Sequence, residues 1–383
     1  MNLVSKEKCF GCTACATVCK KDAITMVRDA HGFLYPHIEQ EKCINCGACM
    51  SICPAEKPMQ GNSIKEVYAV KSIDKDVLLQ SSSGGLFTML SDWILLNGGV
   101  VYGAAHDAEL FTRHTRAVNK NERAAQCGSK YVQSDLNDSY MQAINDLRAG
   151  RFVLFTGTPC QIVGLKACIP NNVNDEKLFL VDIICNGAPS PRLFGDYLKY
   201  CEKMQKRKIV EHYHRPKDTG WGHIEKNAFE DGSYDNESDF AQAWKRIFYS
   251  GKPLRECCYA CPFANDERFS DITIGDYWGV QNTGIEIDCL NGVSLCLINT
   301  GKGKKLFEQL SDVKSVQSNI ADAKVKQPRL RGVCANGDGH KEFWEAYDKR
   351  GPDYIIRKYG RCSNYVRFKH WVKKQIVHCS TNK

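Results

Sequence analysis

Eight cysteines near the start of the chain fall into two copies of one spacing. Cys9, Cys12, Cys15 and Cys19 form C-x2-C-x2-C-x3-C, and Cys43, Cys46, Cys49 and Cys53 repeat it, with Pro54 after the last. Three thiolates at this spacing can hold three irons of a 4Fe-4S cube, leaving the fourth iron to a more distant cysteine. Structural zinc is the competing chemistry, but it draws on paired C-x2-C units or mixed Cys/His sets and has no use for a third cysteine in the run. Gly11 and Gly47 suit tight turns that aim N–H groups at sulfide, and Ala14 and Ala48 leave room beside a cube. The chemistry of such a centre is transfer of one electron at a time.

The doubled run resembles the two-cluster bacterial ferredoxins, in which the fourth cysteine of each run serves the other cluster. That resemblance implies one cluster on Cys9, Cys12, Cys15 and Cys53 and a second on Cys43, Cys46, Cys49 and Cys19. Lys20 stands where those proteins normally carry proline, which touches the local turn rather than the ligation. An α+β ferredoxin-like two-cluster domain is therefore expected over residues 1–60. The remainder of the chain should supply or receive its electrons.

The elements that position such centres must come from a much larger body. The chain has 383 residues, enough for two or three domains with a well-buried core. Its 21 cysteines would suggest disulfides in an exported protein, yet the N-terminus shows no basic-then-apolar signal and the C-x2-C rhythm points to metal. A cytoplasmic protein is expected. The longest apolar stretch, residues 86–99, is short of a membrane span and is broken by Ser91, Asp92 and Asn97. The formal net charge of +8 falls to roughly +2 once three clusters of about −2 each are counted, so basicity does not argue for nucleic acid.

Beyond the polar stretch at residues 54–62 the composition changes. Residues 67–74 read as a strand, residues 79–85 as a Ser/Gly loop, and Leu86, Leu90, Trp93 and Leu96 recur at helical spacing. Residues 100–107 form the next strand. The loop at Ser81 to Gly85 opens a helix and so offers free N–H groups to an anion, although a plain cap explains it equally. Further on, Phe152 to Thr156 is a buried strand followed by the Gly157 to Pro159 turn and a helix, and the plan repeats with a strand ending near Ile184 and a helix from Pro191. Strand, helix and strand in this order make a right-handed crossover between parallel strands, so Cys160 and Cys185 fall at one sheet edge, where ligands collect. Cys258 and Cys261, with Cys257 adjacent, offer two more ligands for a third four-cysteine site. A small buried hydrophobe is the alternative role for a cysteine at a strand end.

Six blocks in order, "SSSGGLFT", "GSKYVQSD", "FTGTPCQIVGL", "ICNGAPSP", "CYACPFANDERFSDITIGDYWG" and "NGVSLCLINT", resemble the beta-subunit family of coenzyme F420 hydrogenases and dehydrogenases over roughly residues 65–310. Members that resemble it this way include F420-reducing subunits, chlorophyll-metabolism reductases and bacterial proteins beside polysaccharide genes. The resemblance implies an FAD and iron–sulfur oxidoreductase. It makes Ser82, Ser83, Gly84, Gly85, Lys130, Tyr131, Thr156, Gly157 and Thr158 candidate flavin contacts, since glycine removes bulk, backbone N–H groups meet a pyrophosphate and lysine offsets charge. Where relatives often read Cys-His-Gly this chain has Cys185-Asn186-Gly187, so an imidazole beside that cysteine is absent.

Several other features read as structural. "NTGKGKKLFEQL" lacks phosphate-loop spacing and reads as a helix start after a strand. His212 and His214 share one strand face with no acidic residue at ligand spacing, which predicts solvent exposure rather than metal. Asp276 lines the site or caps the next turn. Residues 364–377 spell a basic amphipathic helix, packed on its own domain or offered to an acidic partner or an anionic membrane surface.

The architecture expected is the ferredoxin-like domain fused to a larger α/β domain with a mixed, partly parallel sheet. Its segments are residues 65–150 and 151–320, akin to the two parts of the F420 hydrogenase beta subunit, and a basic helical extension over 321–383. The function expected is an oxidoreductase that moves electrons between a ferredoxin or other redox protein, its 4Fe-4S clusters, FAD and a small-molecule substrate, with F420 dependence or a purely electron-transferring subunit as the rivals.

Overall fold

The computed structural model describes residues 3–57, 59–334 and 337–361. Each N-terminal cysteine run closes into a loop and one helical turn, Ala14–Thr17 and Ala48–Ser51, and the antiparallel hairpin β1 (Ile24–Arg28) and β2 (Leu34–Ile38) joins them. The chain then enters the large sheet with β3 (Glu66–Ser72), β4 (Val100–His106), β5 (Thr112–Ala117), β6 (Val153–Gly157) and β7 (Leu178–Ile183). It leaves to build a separate antiparallel sheet from β8 (Ile209–His214), β9 (Glu225–Phe229) and β10 (Tyr234–Asp235). Strands β11 (Ile272–Asp276), β12 (Ser294–Ile298) and β13 (Val313–Ser318) return to the first sheet.

The eight strands lie in the order β13-β3-β12-β11-β7-β6-β4-β5. The inner four, β11, β7, β6 and β4, run parallel, and the flanking strands are antiparallel. The larger domain is thus α/β with a mixed, partly parallel sheet, beside a small ferredoxin-like domain. Helices cover the sheet, which is why the central strands read as unbroken apolar runs: every residue of β12 is buried. The Pro159–Cys168 helix starts sharply because Pro159 occupies its first position and Thr158 and Gln161 form a reciprocal capping box. That start fixes Cys160 at the end of β6, and the parallel β6–β7 pair puts Cys185 two residues past the same edge.

The helix over Leu86–Leu96 buries Leu86, Leu90 and Ile94, but Leu96, expected in the stripe, is 76% exposed. His212 and His214 are not solvent-exposed: both are buried, because the acidic partner arrives across the β8–β9 ladder, where Glu225 stands opposite His214. Sequence spacing along one strand could not show a residue on the next. The basic helix over residues 364–377 lies outside the described residues. Among the described residues no helix is long and apolar enough to cross a membrane.

One arginine fastens the small domain to the large one. Arg255, 1% exposed, donates Nε to Cys9 O at 2.6 Å and Nη2 to Leu34 O at 2.9 Å, and its guanidinium lies over the Tyr35 ring at 4.1 Å. Removing it strands two carbonyls, each worth about 1–3 kcal/mol. Arg255→Met is expected to speed hydrogen exchange in the β1–β2 hairpin by at least about tenfold, leaving β6 amides unchanged. Equal protection of the hairpin in both proteins would show that Arg255 is not the fastener.

Candidate metal centres

The cysteines gather into three groups. Cys9, Cys12 and Cys15 line one cavity together with Cys53 from the far end of the second run. Cys49 lies within electrostatic reach of Cys46 and of Cys19, the last cysteine of the first run. The crossed pairing follows from the hairpin, which carries the end of each run back beside the start of the other. Gly11 N–H points at Cys9 Sγ at 3.4 Å and Ala23 N–H at Cys19 Sγ at 3.3 Å, donors suited to thiolate sulfur.

The third group forms at the C-terminal edge of the parallel strands. Cys160, Cys185, Cys258 and Cys261 line one cavity. Cys160 comes from the capped helix start, Cys185 from the loop after β7, and Cys258 and Cys261 from the short 3-10 turn Glu256–Ala260 and the residue after it. The sulfurs carry local donors: Gly187 N–H to Cys185 at 3.3 Å, Ala188 N–H to Cys258 at 3.4 Å, and Thr158 Oγ1 at 3.2 Å from Cys160. Burial, with the neighbouring thiols adding, pushes Cys160, Cys185 and Cys261 up to about 12. Such thiols ionise at neutral pH only against a cation, and four of them in one cavity fit a cationic iron–sulfur core. Arg268 and Arg329 also line this cavity, as do Cys257 and Cys334. Cys257 is buried at 5% exposure and hydrogen-bonded to Cys258.

The first and third cavities share a wall. Phe10 lines both. Cys12 packs on the Pro159–Cys168 helix at Gly164, where an added Cβ would meet Cys12 Cβ at 3.0 Å and Sγ at 3.1 Å. Only glycine permits that approach.

The candidate flavin residues divide. Ser82 Oγ accepts from Ser129 N–H at 2.9 Å, so the serine loop and the segment with Lys130 and Tyr131 are joined. Ser83 Oγ donates to Val293 O, and Gly84 N–H donates to Ser294 Oγ. Gly84 is pressed so tightly that a Cβ would lie 2.2 Å from Val70 O. The loop's side chains are thus occupied by protein, but the Leu86–Leu96 helix begins at Gly85, φ 90°, with no side-chain cap, leaving first-turn N–H groups available. Positive charge surrounds it. Arg215 Nη2 donates to Ser82 O at 3.0 Å and Lys217 Nζ to Ser83 O at 2.5 Å; burial brings Lys217 down to about 7 and Lys130 to about 8. An anionic cofactor fits this setting. Thr156, Gly157 and Thr158, by contrast, make their contacts with Tyr102, His114, Gln161 and Cys160 and belong with the third cavity.

Arg215 was not foreseen. It pairs with Asp276, which also accepts from Trp221 Nε1 at 2.7 Å, and lies 5.1 Å over the Trp278 ring, itself stacked on Trp221 at 4.5 Å. Asp276 therefore holds the wall of this region rather than merely capping a turn. An alternation of basic and polar residues in β8 gave no sign that its end would reach β11.

Comparison with known proteins agrees with this division of the chain. Residues 150–324 match the family model for the C terminus of the coenzyme F420 hydrogenase/dehydrogenase beta subunit, and residues 8–57 match a 4Fe-4S dicluster domain. Among solved structures, a chain of the F420-reducing [NiFe] hydrogenase complex from Methanosarcina barkeri is 17% identical, with 76% of this chain and 95% of that chain covered at a TM-score of 0.48. The comparison with curated proteins returned no match.

The crossed grouping has a spectroscopic consequence. Cys53→Ser should alter the same reduced-cluster EPR signal as Cys12→Ser, and Cys19→Ser the same signal as Cys46→Ser. Pairing of Cys53 with Cys46 instead would mean that each run keeps its own fourth cysteine.

Proposed function

We propose, from a chain that belongs over residues 150–324 to the coenzyme F420 hydrogenase/dehydrogenase beta-subunit family and over residues 8–57 to the 4Fe-4S dicluster family, that the protein is a cytoplasmic iron–sulfur flavoprotein oxidoreductase. It exchanges electrons with a ferredoxin-type partner at its N-terminal domain and with a small-molecule substrate at the serine loop. The observation that carries this reading is the shared wall: Phe10 and Cys12 bring the first cysteine cavity against the third. A ferredoxin domain that merely accompanied the body would not need that contact.

In this account Cys9, Cys12, Cys15 and Cys53 hold one cluster, Cys43, Cys46, Cys49 and Cys19 a second, and Cys160, Cys185, Cys258 and Cys261 a third. Each cluster, when bound, supplies reversible one-electron chemistry. Arg255 and Arg268 offset the excess negative charge beside the first and third cavities; both are buried. FAD, when bound, supplies the step between two-electron and one-electron chemistry. The residues that would hold it are the Ser82 to Gly85 loop, with Arg215, Lys217 and Lys130 facing its charge and Tyr131 beside Arg215. Thr156 to Thr158 would border its approach to the third cavity. Lys217, held near neutral pKa by burial, can keep or release a proton at Nζ under working conditions.

A hydride donor of the F420 type is the second reading, favoured by the family match. Such a donor would meet the serine loop directly and bypass the N-terminal domain. The resemblance to proteins beside polysaccharide genes favours a sugar-related substrate.

The third centre is the part most open to test. Anaerobically purified protein should contain about 12 irons per chain. Cys185→Ser and Cys261→Ser should each lower iron by about a third, whereas Cys257→Ser and Cys334→Ser should leave it unchanged. About 8 irons in the wild type would remove the third cluster, and loss in Cys257→Ser alone would shift the ligand pair by one residue.

A further inference from the structure

Strand β8 turns His212 and His214 to one face, and β9 places Glu225 opposite His214. The side chains of all three have 0% exposure. Glu225 Oε2 lies 3.1 Å from His212 Nε2 and 2.6 Å from His214 Nδ1, and those two nitrogens are 3.3 Å apart. One donor atom from each residue converges on a single point, all within 4.8 Å of one another.

Hydrogen bonds alone leave this cluster incomplete. His212 Nδ1 faces Asn227 Oδ1 at 2.7 Å, which places the proton on Nδ1 and leaves the Nε2 lone pair aimed at a carboxylate oxygen and a second imidazole. His214 Nε2 is buried without a partner, and so is Nε2 of His106, whose ring centre lies 5.9 Å from that of His214. Every side chain bonded to the Glu225 carboxylate is a histidine. A fully buried carboxylate among imidazoles is expensive unless a positive charge balances it. A divalent cation would take up the lone pairs and supply that charge together.

We propose that His212, His214 and Glu225 bind a divalent transition-metal ion of the zinc class, at a site chemically distinct from the cysteine cavities. Two imidazoles and a carboxylate are an established donor set for zinc, leaving one position for a further ligand. The surrounding bonds are those such a site needs: Asn227 fixes the tautomer of His212, and His223 Nε2, 3.1 Å from Glu225 Oε1 and itself held by Tyr249 Oη at 2.8 Å, fixes the carboxylate. The ion would pin the small sheet to its surroundings. Phe194 packs 5.2 Å from the His212 ring, and Tyr131 packs 5.4 Å from the His214 ring. This inference does not depend on the proposed flavin or on the third cluster.

The test uses full-length protein with its clusters in place, equilibrated with Zn2+ under anaerobic conditions and then desalted. Elemental analysis should find about one zinc per chain, and zinc K-edge absorption should show only nitrogen and oxygen neighbours at about 2.0–2.1 Å. Glu225→Gln, which keeps the side-chain shape, should retain zinc at least about ten-fold more weakly with wild-type iron content. No retained zinc in the wild type would overturn the proposal. So would a sulfur shell near about 2.3 Å, which would mean zinc misloaded into a cysteine cavity. Should Glu225→Gln fail to fold, the absorption spectrum of the wild type decides alone.

Discussion

A buried thiol is reluctant to ionise, and this chain buries many of them in groups. Burial and mutual repulsion raise Cys15, Cys160, Cys185 and Cys261 to about 12, so each cavity is stable in its working form only around a cationic core. Much else follows from that constraint. Cysteines must come from crossing segments so that four sulfurs face inward. Backbone N–H groups from Gly11, Ala23, Gly187 and Ala188 must be spent on sulfur. Arginines must be buried nearby, which is costly by itself but not beside surplus negative charge. Arg268 illustrates the balance: it lines the third cavity and also pairs with fully buried Asp182 at 2.6 Å.

The same constraint explains why the small domain is docked rather than tethered. Its cysteine cavity is completed by contact with the body, through Phe10, Gly164 and the guanidinium of Arg255. Gly164 shows how closely the two surfaces are matched, since one methyl group would also press Tyr140 Oη at 2.7 Å. Tyr140 in turn donates to Gln161 O in the helix that presents Cys160. A disturbance at the docking surface is therefore transmitted within one helical turn to the third cavity.

The ferredoxin-like domain was legible almost entirely from sequence, because its chemistry is written in short-range spacing. The edge position of Cys160 and Cys185 was legible too, because a crossover between parallel strands leaves few topologies. What escaped was contact between distant segments. Phe10, Cys334, Arg255 and Arg215 act on parts of the molecule far from their own neighbours in the chain, and no local pattern marks them. His212 and His214 were misjudged for the same reason: the residue that gives them meaning, Glu225, sits on the next strand, and a ladder register cannot be inferred from one strand alone. The serine loop was recognised as a helix start, but the basic residues that surround it come from β8 and the turn after it.

The central claim is that electrons from a protein donor reach the body through the cavity that Cys12 helps to form. Anaerobic stopped-flow mixing of reduced ferredoxin with wild type and with Cys12→Ser, at matched flavin content, measures this most directly. The account predicts that the variant's flavin absorbance is bleached at least about a hundredfold more slowly, while reduced F420, if accepted at all, bleaches both proteins at the same rate. Equal bleaching of both proteins by reduced ferredoxin would contradict it.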